Sequence, residues 1–158
     1  MRLACGLMRL DLTELLAHAG RRFPIRLESS SPVALADDLV TLVALRVEGE
    51  AFIQLGILYL EVAIRAQLEQ PCGRCLAPVS GSLELHETFE LSIPPGVDSI
   101  DLSSEITDLV ISAVDPNVLC RPDCRGLCPV CGADLNQSPD HHCSEPESDR
   151  RTLRDYLA

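Results

Sequence analysis

Apolar residues recur along this chain with two different periods, and the change of period predicts its elements. From Phe23 the period is two: Phe23, Ile25 and Leu27 alternate with Arg26 and Glu28 up to a break at Ser29–Pro32. Alternation of this kind puts one face of a strand on a core and the other in water. Val40–Glu48 reads as a second strand, with Glu48-Gly49-Glu50 as a turn into the long segment Ala51–Glu69. There Leu58, Leu60, Val62, Ile64, Ala66 and Leu68 share one face, while Tyr59, Glu61, Arg65, Gln67 and Glu69 take the other. Gly56 marks a bulge or bend. Val79–Ile93 is a further strand, with Leu83, Leu85, Phe89, Leu91 and Ile93 in phase and Glu87 out of character among them. Long strands joined by short turns predict an antiparallel sheet, curved or barrel-like.

The helical period appears on either side of this region. Asp11-Leu12-Thr13-Glu14 has the form of a capping box, followed by an apolar stripe of Leu12, Leu15, Leu16 and Ala19 and a stop at Gly20. This places a short N-terminal helix within residues 1–20. Residues 1–7 look like an extension, since Met1-Arg2-Leu3 is echoed by Met8-Arg9-Leu10; Met8 is a second candidate start, which would make Cys5 irrelevant. Pro94-Pro95-Gly96 ends the sheet region. A helix over residues 101–115 follows, capped by Asp101 or Ser103, with Ile106, Leu109, Val110, Ala113 and Val114 at helical spacing and Pro116 as its end. It is expected to cover one face of the sheet. The polar stretch Ser144–Ser148 and a short helix over Asp149–Leu157 complete the chain. The whole, residues 1–158, reads as a single α+β domain with a sheet over residues 23–93, a cysteine-rich appendage over 119–143, and no internal repeat.

Composition narrows the picture. A chain of 158 residues can bury a core of its own. With aromatics at 3 % and no Trp, that core is built from Leu, Val, Ile and Ala. No run of eighteen apolar residues exists to span a bilayer. Arg9 and Asp11 stand where the apolar centre of a signal peptide belongs, so a cytoplasmic location is expected, a compartment where clustered cysteines bind metal more often than they form disulfides. Net charge is −11, unevenly spread. Residues 1–26 carry five Arg against Asp11 and Glu14, residues 27–118 carry fifteen acids against Arg46, Arg65 and Arg74, and the remainder five Arg against seven acids. So acidic a middle speaks against gripping nucleic acid along a broad face and leaves only local, weak RNA contact; a protein partner fits better. Asp37 and Asp38 form an acidic turn without a basic or nucleophilic companion, and no Ser/His/Asp set or phosphate loop stands out.

The candidate chemistry lies in the cysteines. Leu119 to Cys143 holds five of the eight, with almost nothing apolar to order the segment by burial. Cys128-Pro129-Val130-Cys131-Gly132 reads as a metal knuckle, in which two thiolates two residues apart face one ion and the glycine allows a left-handed turn. Pro71-Cys72-Gly73-Arg74-Cys75-Leu76 repeats the form between two strands. Cys72 and Cys75 could instead be small buried apolar residues or a thioredoxin-like redox pair, but no βαβ unit surrounds them. Seven cysteines besides Cys5, with His141, supply eight ligands, enough for two tetrahedral sites. The partition favoured is Cys72, Cys75, Cys120 and Cys124 for one, and Cys128, Cys131, His141 and Cys143 for the other. Pairing the two CxxC knuckles in one zinc-ribbon-like site is the alternative, and His142 could replace His141. His18 and His86 read as surface or packing residues. Saturated ligand sets of this kind suit one or two structural zinc ions. Arg74, Arg121, Arg125 and Asn136 flank the knuckles, where they either neutralise thiolate charge and form a turn or present a compact patch to RNA phosphate or an acidic protein.

Cys72-Gly73-Arg74-Cys75-Leu76, and the run from Leu119 through Cys120, Cys124, Cys128 and Cys131 to Asn136, resemble the YceD family of large ribosomal RNA subunit accumulation proteins. That family commonly closes the second motif with Cys-x-Cys, where this chain has His141 and Cys143. The resemblance implies a non-catalytic role in the synthesis or processing of large-subunit rRNA, with a ribosome-assembly protein or pre-rRNA complex as partner and no membrane or small-molecule substrate. A thiol redox or nucleic-acid-processing enzyme using the CxxC pairs is the contrasting class.

Overall fold

The computed structural model describes residues 8–35 and 39–143. Residues 1–7 with Cys5, the Asp37/Asp38 turn, and the Ser144–Ser148 stretch and helix expected over Asp149–Leu157 lie outside the described residues. In chain order the elements are β1 (Arg9–Asp11), α1 (Thr13–Ala17), β2 (Phe23–Ser29), β3 (Val33–Leu35), β4 (Val40–Gln54), β5 (Ile57–Pro71), β6 (Pro78–Ser92), β7 (Ser99–Asp101) and α2 (Ser103–Ala113). The class is α+β, as the periodicities indicate.

The main sheet is antiparallel, in the order β2-β4-β5-β6, with β3 pairing the start of β4. It is open and not barrel-like: among the described residues β2 and β6 do not pair with each other. A second, two-stranded sheet joins β1 to β7, with Leu10 opposite Ile100.

Two turns differ from expectation. Glu48-Gly49-Glu50 is no turn; β4 runs straight through it and pairs with β2 and β5 on its two sides. The glycine answers to close packing, since a Cβ at residue 49 would stand 2.1 Å from the Glu61 carbonyl oxygen. The reversal comes at Leu55-Gly56, where φ is 52° and 78°. Gly56 is thus the bend rather than a bulge: positive φ at both central residues makes the two-residue hairpin turn whose twist matches a right-handed strand pair. The irregularity in the ladder lies elsewhere, between Leu42 and Ala44, with Val43 displaced outward.

The inward row of β5 behaves as its alternation predicts, with Leu58, Leu60, Val62, Ile64, Ala66 and Leu68 all buried. Each large aliphatic side chain in such a place contributes about 1.5–3 kcal/mol. Ile106 and Val110 of α2, with Leu102 just before it, join the same apolar cluster, as do Leu12 and Leu15. The N-terminal helix is shorter than expected because the chain first forms β1; Leu16 and Ala19 are exposed, outside the stripe assigned to them. Asp11 acts by accepting a hydrogen bond from the Thr13 amide at 2.8 Å, not as the cap of a box with Glu14. Asp101 lies in β7 and accepts from the Ser103 amide at 2.9 Å. Met8 is buried to 1 % exposure, and its carbonyl accepts from the Leu102 amide. No helix among the described residues is long and apolar enough to cross a membrane.

Candidate metal centre

The β5–β6 hairpin ends on a pair of prolines, Pro71 opposite Pro78, and the loop they bracket is the first CxxC. Within it the Cys72 amide donates to the Ala77 carbonyl at 2.8 Å, and the Leu76 amide donates to the Cys72 carbonyl at 3.0 Å. Fifty-odd residues on, the Cys128 amide donates to Ala133 at 2.8 Å and the Gly132 amide to Cys128 at 2.9 Å. The two loops are one design. Each folds its backbone so that the amides after the first cysteine face its sulfur, with the residue after the second cysteine in the left-handed region: Leu76 at φ 63° and Gly132 at φ 75°.

These knuckles gather eight side chains into two groups. Cys72, Cys75, Cys120 and Cys124 form one, and Cys128, Cys131, His141 and Cys143 the other; within each, the ligand atoms all lie within 4.8 Å of one another. The CxxC pairs therefore do not share one site. His141 and not His142 completes the second group, with its Nε2 3.3 Å from the Cys131 sulfur. The Cys72 and Cys124 sulfurs are 3.8 Å apart, and those of Cys75 and Cys120 3.6 Å. A disulfide would bring them to about 2.05 Å. Four sulfurs on a tetrahedral ion, each at about 2.3 Å, stand about 3.8 Å apart. Both clusters are positioned to hold a metal ion, and the donors, soft thiolates with one imidazole, suit a tetrahedral one.

A short polar network locks the two groups together. The Arg74 guanidinium donates to the Cys124 carbonyl at 2.8 Å, and the Arg74 carbonyl accepts from the Leu127 amide at 3.1 Å. Gly126, at φ 78°, passes so close that a Cβ there would stand 3.0 Å from the same carbonyl. Asn136 reaches back across the segment: its Oδ1 accepts from the Arg125 amide at 2.8 Å and from Arg121 Nη2 at 2.7 Å. Its Nδ2 donates to Asp134 Oδ1 at 2.9 Å and points to the Cys124 sulfur at 3.5 Å.

Residues 82–156 match the family described as large ribosomal RNA subunit accumulation protein YceD. Over this stretch the chain is similar to the YceD family. Six of the eight ligand residues fall within it, and Cys72 and Cys75 just before it. Two uncharacterised mycobacterial proteins, from Mycobacterium tuberculosis and Mycobacterium bovis, are each 28 % identical over 156 residues, covering 85 % of this chain and 73 % of theirs. Proteins named as chloroplastic YCED homolog 1 are similar over a shorter stretch. The one from Arabidopsis thaliana is 38 % identical over 61 residues, 39 % of this chain and 19 % of its own. The one from Zea mays is 31 % identical over 65 residues, 41 % and 22 %. No solved structure matches the chain.

The electrostatics of the clusters follow from the knuckle backbone. Amides of Cys75, Arg74 and Cys120 directed at Cys72 hold its thiol down to about 6. The equivalent amides of Cys131 and Val130 hold Cys128 to about 6. Cys120 and Cys143 are pushed the other way: proximity to Cys75, then burial, raises Cys120 to about 12, and proximity to Cys131 raises Cys143 to about 11. Cys72 and Cys128 are thus held toward the thiolate, while Cys120 and Cys143 hold their protons more firmly and would give them up to a bound cation.

Arg74, Arg121, Arg125 and Asn136 all lie beside the clusters and all bond within the segment; Arg125 Nη1 also donates to the Pro139 carbonyl at 2.9 Å. His18 and His86 are remote from the clusters, His18 Nδ1 lying 3.2 Å from the Glu14 carbonyl and His86 standing exposed near Glu84. Gly126, Asp134 and Leu76 were missed by the sequence reading. The Gly126 left-handed turn was open to inference from glycine chemistry; Leu76 was not, because leucine seldom adopts that conformation.

Proposed function

We propose that this protein is a non-catalytic ribosome-biogenesis factor of the cytoplasm that supports accumulation of large-subunit rRNA, with two structural zinc ions, one in each cluster. The observation that carries the reading is that residues 82–156 match the accumulation-protein family and enclose two ligands of the first cluster and all four of the second. Cys72, Cys75, Cys120 and Cys124 would hold one ion, and Cys128, Cys131, His141 and Cys143 the other. Bound there, zinc supplies a fixed tetrahedral crosslink and leaves no position for a substrate or activated water, because four protein ligands saturate it. What the chain's own residues then do is hold a rigid platform at the end of the β5–β6 hairpin. Arg74 and Asn136 orient the ligand-bearing segment, and Arg121, Arg125 and Arg74 surround it with positive charge on an otherwise acidic body. That charge distribution supports an assembly protein or protein–RNA intermediate as partner over naked rRNA.

The test is a deletion strain. Its ratio of large- to small-subunit rRNA is expected to fall, and to recover on complementation by the intact chain. An unchanged ratio overturns the reading.

A further inference from the structure

β6 pairs with β5 along all fifteen of its residues, without a register shift, and among the described residues no strand lies on its other side. Strands are usually about 5–6 residues long, so this free edge is more than twice the ordinary length. An open edge presents unpaired N–H and C=O groups and is a template for another strand.

Two features say what kind of strand fits. The inward row of β6, Leu83, Leu85, Phe89 and Leu91, is only half-buried, whereas the residues opposite on β5, Ala66, Ile64, Leu60 and Leu58, are at 2 % exposure or less. A strand added at the edge, with apolar residues at alternate positions, would finish burying that row. The second feature is charge. β6 carries Glu84, Glu87 and Glu90 and neither Lys nor Arg. Arg65 pairs with Glu84 at 3.0 Å, but among the described residues Glu87 and Glu90 have no ion-pair partner. Glu87 stands on the inward side, between Leu85 and Phe89, and is exposed.

A charge on the inward side of an edge strand prevents edge-to-edge pairing of like chains. Antiparallel pairing of two copies centred on residue 87 would set Glu87 against Glu87 and Glu84 against Glu90, like charges directly opposed. The same acids attract a strand of opposite charge. We propose that the free edge of β6 is the docking site for an extended basic segment of a partner protein, which adds to the sheet as a further strand. The inference rests on the reading above that the partner is a protein, and its test is made in vitro, apart from any rRNA measurement.

The probe is a twelve-residue synthetic peptide alternating arginine and valine, with a second in which glutamate replaces arginine. Each is added to the full chain as purified, and binding is followed by fluorescence anisotropy and backbone amide exchange. The arginine peptide is expected to bind and to slow exchange in residues 78–92 at least tenfold, while the glutamate peptide does neither. The paired substitution Glu84→Gln and Glu90→Gln, on exposed side chains of the face where the arginines would stand, should weaken binding at least fivefold without altering the fold, and Glu84→Arg with Glu90→Arg should weaken it more. Equal binding of both peptides, protection confined to other elements, or stronger protection of β6 by a single-stranded oligouridylate would overturn the proposal.

Discussion

Leu76 occupies in the first knuckle the place that Gly132 occupies in the second. Both amides donate to the carbonyl of the cysteine four residues before, at 3.0 and 2.9 Å, and both backbones are left-handed. Leucine has no reason of its own to be there, since its side chain is 64 % exposed. A side chain in the left-handed region costs about 1–2 kcal/mol, and glycine returns about 0.5–1 kcal/mol of that as unfolded-state entropy. Leu76→Gly should therefore stabilise the protein by about 0.5–1 kcal/mol in denaturant unfolding. The reverse exchange, Gly132→Leu, should destabilise it by a similar amount. A loss of stability in Leu76→Gly would show that the leucine makes a contact worth more than its backbone costs.

Asn136 should matter more than its exposed surroundings indicate. Among the described residues, its amide is the only side chain that joins the Arg121 guanidinium, the Arg125 backbone and the Cys124 sulfur. Partners of this kind, one bond behind the ligands, are typically worth about 10–100-fold in metal affinity. Asn136→Asp keeps the shape and the acceptor but replaces the donor beside a thiolate with a negative charge. It is expected to weaken metal at the Cys72 cluster by about tenfold or more in chelator competition, with the Cys128 cluster changed far less. Equal weakening at both would place the effect in general loosening of the segment.

Gly49→Ala tests the sheet apart from the metal clusters. The Cβ would stand 2.1 Å from the Glu61 carbonyl and 2.7 Å from the Val62 Cα, both backbone atoms that cannot turn aside. Strands β4 and β5 would have to part, at a cost on the order of 3 kcal/mol. The variant should unfold at markedly lower denaturant with its metal content unchanged. A substitution felt by less than about 0.5 kcal/mol, the range of ordinary surface changes, would mean that the strands separate there readily.

What the sequence conveyed depended on how local the signal was. The inward row from Leu58 to Leu68 follows from alternation alone, because every second residue of a strand shares a face. Ligand chemistry was equally local: the CxxC pairs announce their knuckles, and counting to eight gave the two groups that the fold assembles. Gly49 and Gly56 were confused because a glycine admits both a turn and a close approach, and only the position of Glu61 on the neighbouring strand separates the two. β1 and β7 were missed because three residues, Arg9–Asp11 or Ser99–Asp101, are too few to show a period. Closure of the sheet was beyond reach for a different reason: whether β2 meets β6 is a property of no single segment.

The two clusters should differ in what their loss does to the protein. The first joins the hairpin loop to a segment distant in sequence, with Cys72 and Cys124 separated by 52 residues. The second closes on itself within residues 128–143. An ion in the first therefore restrains a long loop, and tethers the cysteine-rich segment to the sheet; an ion in the second orders only its own loop. Purified without chelator, the protein should carry two zinc ions per chain. Cys128→Ser should leave about one, with amide protection lost only after residue 126 and the sheet intact, since the aliphatic core of β4 and β5 does not depend on metal. Cys72→Ser should also leave about one ion, but should expose residues 119–127 and the open end of the β5–β6 hairpin to exchange, and lower the melting temperature further. Elemental analysis and amide exchange read the two effects separately. If neither variant lost zinc, or the purified chain held none, the clusters would not be metal sites; if both lost the same protection, the two groups would act as one folding unit rather than as a tether and a local clasp.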